Sequence, residues 1–191
     1  MSKKKPYTPA RARRQRDLKG ALMFIFEILA AVVLGAVFSV FFCKNVEMTE
    51  GSMEPTIEIG DTLLVNTQAY RFTDPKRDDI IVFKSSDSAN ASLHIKRVIG
   101  LPGETIQIKD GQILINGTTY MEKKDLASIN YAGLAAEEIT LDKDEYFVLG
   151  DNRNNSADSR YSDIGNVNED YIVGKVWFRI SPYSRIGFIK E

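Results

Sequence analysis

Residues 20–43 are apolar apart from Glu27 and the small polar Ser39, and so long an apolar run fits a lipid bilayer. As a helix it would rise about 36 Å, enough to cross the hydrocarbon with some tilt. A cleavable leader has a shorter apolar core, so the run reads as a permanent anchor. Residues 1–43 carry Lys3, Lys4, Lys5, Arg11, Arg13, Arg14, Arg16 and Lys19 against only Asp17 and Glu27. This positive excess before the run predicts a cytoplasmic N-terminus, with the chain from Lys44 on beyond the membrane. Glu27 then sits near the headgroup boundary or faces a neighbour. The expected organisation is a basic cytoplasmic arm over 1–19, a transmembrane helix over 20–43 and an extracytoplasmic domain over 44–191. The chain is thus expected to be a single-pass protein of the cell membrane.

Charge separates the two parts. The 191 residues hold 25 Lys+Arg and 26 Asp+Glu, but those after residue 43 hold 17 basic and 24 acidic side chains, a net of −7. A net-acidic domain is a poor binder of nucleic acid, so no nucleic-acid partner is expected. The one cysteine, Cys43, excludes an intrachain disulfide. With no basic partner in the apolar run it is a poor nucleophile and reads as a small apolar residue at the boundary.

The domain reads as mainly β. Short β-branched or aliphatic runs recur at 61–66, 79–84, 93–99, 105–108, 112–115, 145–149 and 171–180. Asp110-Gly111 and Asn116-Gly117 flank 112–115, and such pairs between extended runs signal hairpins. Leu101-Pro102-Gly103 marks a further turn. Residues 122–138, with their alanines and charges, suit either a helical turn or a mobile loop. The expected fold is one transmembrane helix followed by an antiparallel β-sheet or partly closed β-barrel.

Three segments could carry chemistry. In Gly51-Ser52-Met53-Glu54-Pro55-Thr56, glycine permits tight backbone geometry and proline fixes the turn that follows. Such a turn can project the Ser52 hydroxyl while the Ser52 backbone N–H faces a developing oxyanion; it also suits an ordinary turn serine. In 93–99, strand alternation puts Leu93, Ile95, Arg97 and Ile99 on one face and His94, Lys96 and Val98 on the other. Lys96 is then either a solvated lysine or one desolvated enough to be a neutral base. His94 is the only histidine, so any Ser-His-Asp triad must use it; otherwise it is a wall residue. The polar cluster over 150–160 makes local hydrogen bonds and rigid turns, and its acidic spacing does not fit an EF-hand.

Taken together, these segments resemble the bacterial type I signal peptidases, membrane-anchored Ser-Lys endopeptidases that remove signal peptides from exported preproteins. Four blocks in the family's order carry the resemblance: 51–56, Gly60-Asp61-Thr62-Leu63-Leu64-Val65-Asn66, 94–104 and 150–160. Lysine at position 96 marks the bacterial type, and the short domain is similar to the Gram-positive subgroup. The resemblance implies Ser52 as nucleophile and Lys96 as general base, with neither metal nor cofactor. It implies that Ser156 orients the lysine amine, that Asp158 and Arg160 pair in support, and that Asp151 assists. Met48, Met53, His94 and Ile95 would shape shallow pockets selecting Ala-x-Ala before the cut, on a substrate added as a strand. The implied partners are exported preproteins, the lipid bilayer and the neighbourhood of the secretion translocon. One departure stands out: some members place a serine two residues before the nucleophile to help bind the oxyanion, and this chain has Glu50 there, which cannot donate. That departure favours, as an alternative, a specialised or catalytically weak relative acting in surface-protein or pilus assembly.

Overall fold

A computed structural model describes residues 10–86, 88 and 91–189; residues 1–9, with Lys3, Lys4 and Lys5, lie outside them. Helix α1 spans Ala10–Phe42. It begins inside the basic arm, and Cys43 belongs instead to strand β1 (Cys43–Glu47). Within α1, Leu18–Gly35 has a mean hydropathy of 2.1. Leu22, Phe24, Ile28, Leu29, Val33 and Leu34 are all exposed along it. A helix apolar on every side needs an apolar surrounding, so α1 fits a single membrane span.

The chain divides between Phe42 and Cys43 into two units. The second contains β1 followed by β2 (Thr62–Asn66), β3 (Ile80–Lys84), β4 (Leu93–Gly100), β5 (Thr105–Lys109) and β6 (Gln112–Ile115). After these come β7 (Thr118–Thr119), β8 (Ile139–Thr140), β9 (Glu145–Leu149), β10 (Val167–Asn168), β11 (Ile172–Ser181) and β12 (Gly187–Phe188). The larger sheet runs β1-β2-β11-β3-β4-β9-β10 with β12 on β11, and the smaller runs β7-β6-β5-β8. Both sheets are antiparallel throughout.

Turn chemistry closes the smaller sheet. Asp110 and Gly111 have φ of 51° and 75°, and Asn116 and Gly117 have 51° and 74°. Positive φ at both central residues is the two-residue turn whose twist matches antiparallel strands, which joins β5 to β6 and β6 to β7. Residues 122–138 contain one short 3-10 turn, Gly133–Ala136, and are otherwise irregular.

The larger sheet is buried on both faces, which is why its central strands read as nearly continuous apolar runs. Ile80, Val82 and Ile95 pack with Met48, Met53, Ile57, Leu63 and Val65 on one face. Ile81, Phe83, Val98, Tyr146 and Val148 pack on the other. A third cluster joins Ile99, Phe147 and Leu149 to Ile106, Ile108 and Ile113 of the smaller sheet. Strand β4 sits among all three clusters, held by β3 on one edge and, from Arg97 on, by β9 on the other. Lys96 and Arg97 are therefore held in the buried centre of the larger sheet.

Candidate active site

Ser52 lies on a single 3-10 turn, Gly51–Met53, entered from extended backbone at Glu50. The turn is anchored from below. Met53 is wholly buried, and its carbonyl accepts the Thr56 and Ile57 amides at 2.9 and 3.0 Å. It is also clamped by the polar loop over 150–160. The Asn152 amide donates to the Ser52 carbonyl at 3.0 Å, and Asn152 Nδ2 donates to the Gly51 carbonyl at 3.0 Å. Gly150 makes the close approach possible, because a Cβ there would lie 2.2 Å from Ser156 Oγ and 2.4 Å from the Ser52 carbonyl oxygen.

Lys96 meets this turn from β4. Its Nζ is 2.7 Å from Ser52 Oγ, with Lys96 0% and Ser52 2% exposed. Of the two readings open for Lys96, the solvated one is excluded. Burial disfavours the ammonium and pushes the amine below the ordinary lysine range, although the charges of Glu50 and Asp158 oppose that shift. His94 stacks on Phe83 with ring centroids 5.5 Å apart. Burial, then the nearby Lys96, lowers its pKa. It makes no contact with Ser52 that would form a triad, and its Nδ1 faces Glu50 Oε1 at 3.6 Å.

Asp158 and Arg160 pair as the resemblance implies, whereas Ser156 has a different partner. Ser156 Oγ donates to Asp158 Oδ2 at 2.8 Å, not to Lys96. Asp158 also accepts from the Gly150 amide at 3.0 Å and from Arg160 Nε and a terminal nitrogen at 2.7 and 2.8 Å. Ser156 thus belongs to a brace that fixes the loop. Asp151 pairs with Arg97, whose Nε and a terminal nitrogen reach its two oxygens at 2.7 and 2.6 Å. It also accepts from the Thr56 hydroxyl. Burial alone would raise the Asp151 carboxyl, but the bonds and charge of Arg97 outweigh it and hold Asp151 below the usual carboxylate range.

Arg97, Thr56 and Asn152 are contributors that the sequence reading did not single out. Arg97 had a signal, a charged residue on the aliphatic face of a strand, which demands a buried partner.

A groove of about 370 Å³ runs beside the turn, lined by Val46, Glu47, Met48, Thr49, Glu50, Ser92, Leu93 and Ile95. Met48 and Ile95 reach its wall, Met53 packs behind it, and His94 is outside the lining. Leu93, His94 and Ile95 pair with β3 on one edge only, because β9 joins β4 from Arg97 onward.

Residues 21–181 match the family model for signal peptidase, peptidase S26. Signal peptidase I of Leptolyngbya laminosa is 37% identical over 188 residues, which cover 95% of this chain and 90% of that protein. Signal peptidase I V of Bacillus subtilis strain 168 is 39% identical over 160 residues, covering 78% and 89%. A crystal structure of a signal peptidase I from Enterococcus faecalis V583 is 36% identical and aligns with 54% of this chain and 97% of that one, at a TM-score of 0.43. The chain belongs to the signal peptidase family, peptidase S26, a family of serine endopeptidases.

Proposed function

We propose that this chain removes signal peptides from exported preproteins, with Ser52 as nucleophile and Lys96 as general base. The 2.7 Å contact between Lys96 Nζ and Ser52 Oγ, both shielded from water, carries this reading. Neutral Lys96 takes the Ser52 proton as Oγ attacks the carbonyl carbon before the cut. The peptide C–N bond breaks, and the new amine of the mature protein leaves with the proton held by Lys96. An ester to Ser52 remains. Lys96 then deprotonates water, the resulting hydroxide adds to the ester, and Ser52 recovers its proton as the signal peptide departs. The Ser52 amide serves the oxyanion, since the Glu50 carboxylate has no proton to give. The Asp158–Arg160 pair with Ser156, and the Asp151–Arg97 pair, hold the loop that clamps the nucleophile turn.

The preprotein adds as a strand to the free edge at 93–95, with its small residues against Met48 and Ile95 in front of Met53. His94 flanks this edge. The helix anchors the enzyme with its N-terminus in the cytoplasm and the domain over 44–191 outside, beside the translocon where preproteins emerge. Confinement of enzyme and substrate to one surface raises their effective concentration. Buried contact between nucleophile and base argues against a silent relative in pilus or surface-protein assembly.

The test is a preprotein with an Ala-x-Ala site in liposomes. Wild type is expected to cut after the second alanine, as read by mass spectrometry. Leucine in place of that alanine should slow the cut roughly a hundredfold. Equal cutting of both would exclude a pocket for small residues. A second expectation follows from Gly150. Gly150→Ala would press on the Ser52 carbonyl, and a shift of about 1 Å costs roughly a hundredfold in kcat/KM. Full activity of a folded Gly150→Ala enzyme would show that the clamp does not position the nucleophile.

A further inference from the structure

We infer that Glu50 is a positioning residue whose charge favours the protonated Lys96 against the effect of burial, and so raises the lower pH limit of the reaction. This rests on Lys96 being the general base.

Glu50 Oε1 lies 3.7 Å from Lys96 Nζ, beyond a hydrogen bond but close for two opposite charges. Glu50 is the last extended residue before the nucleophile turn, so its side chain enters the site beside Ser52. Asp158, from the loop over 150–160, also acts on Lys96, but its carboxylate is shared with Arg160, Ser156 and the Gly150 amide. Asp151 is turned to Arg97, with Lys124 at 3.8 Å. Glu54 lies against the Gly51 backbone. His94, two residues away on β4, shares Glu50 with Lys96, and its own pKa is lowered. Among the described residues, then, Glu50 is the carboxylate within ion-pair distance of Lys96 Nζ, and its ion-pair partners are Lys96 and His94 rather than an arginine.

Burial and Glu50 act on the amine in opposite directions. Burial makes it a base, and the carboxylate makes it keep its proton. The side chain of Glu50 is 43% exposed, so water screens much of its field. Screening weakens the interaction at this distance without abolishing it. Removing the charge lowers the pKa of Lys96, and the neutral amine then persists to lower pH.

The experiment measures kcat/KM for an Ala-x-Ala peptide in detergent across the acid limb, because this parameter reports the free enzyme. Glu50→Gln is expected to move the limb about one unit toward acid, with a roughly tenfold faster cut below the wild-type limb. Glu50→Asp, which keeps the charge, should stay nearer to wild type. An unmoved limb in Glu50→Gln overturns the inference. That holds even if the rate rises equally at every pH, because a new oxyanion donor would do just that. A limb that moves with His94→Asn and not with Glu50→Gln also overturns it, assigning the titration to His94. Full activity of Lys96→Ala would instead remove the base assignment, so the two failures are distinct.

Discussion

Lys96→Met is expected to lose about 10⁴-fold in kcat while staying folded, because it removes the base and keeps the packing. Methionine has nearly the length of the lysine stem and no polar atom, which suits a site that is 0% exposed. Alanine would be equally inactive but would also open a cavity, so methionine is the cleaner variant. Ser52→Ala should be as inactive as Lys96→Met, and the double variant no worse, because residues acting on one proton do not add. Stability provides a second reading. The folded state lowers the lysine pKa, so the unfolded chain holds more protons at this site wherever the two states differ. Its contribution therefore rises with pH through the window between the lowered value and the ordinary lysine range. Below that window lysine destabilises the fold, and Lys96→Met should melt at or above the wild-type temperature at neutral pH. Cleavage that survives in Lys96→Met and fails in His94→Asn would hand the base role to His94.

What the sequence revealed of this site follows from which interactions are local. Strand alternation in 93–99 separates Lys96 from Arg97, and the structure seats the two against different partners, Ser52 and Asp151. The hairpins at Asp110-Gly111 and Asn116-Gly117 are legible because positive φ is a property of those residues themselves. Strand β1 is not legible: Cys-Lys-Asn-Val-Glu has no alternation, and it is a strand because β2 pairs with it residue for residue. The two-residue strands β7, β8, β10 and β12 are too short to carry a period and exist only through their neighbours. The polar cluster over 150–160 is legible, but that Ser156 bonds to Asp158 rather than to Lys96 depends on three-dimensional placement. Glu50 was visible as a missing donor. Its distance from Lys96 depends on how the turn over Gly51–Met53 meets β4, across 44 residues of chain.

Asp151→Ala is expected to cost about 3–5 kcal/mol of stability, a large share of what a domain of this size has. Arg97 is 3% exposed and would keep its charge, because a guanidinium does not deprotonate in proteins. It would then be buried with only the Asp78 carbonyl, at 2.9 Å, still accepting from it. The Thr56 hydroxyl would lose its acceptor as well, and Lys124, 3.8 Å away, would keep only the charge of Asp78 of the two carboxylates acting on it. A drop in Tm of about 10 °C or more by calorimetry follows. Asp151→Asn keeps an acceptor and should lose less. The pairing also has a pH signature: Asp151 is held below the usual carboxylate range, so its contribution is complete above that range and is lost as pH falls through the lowered pKa. Replacing both partners with Arg97→Met and Asp151→Leu should restore most of the stability, because the penalty of a lone buried charge disappears with the charge. If the single variant melts like wild type, water reaches Arg97, and the loop that clamps Ser52 is looser than its hydrogen bonds imply. If the double variant is stable but slow, the pair is there to place the Asn152 clamp on the nucleophile turn rather than to hold the fold.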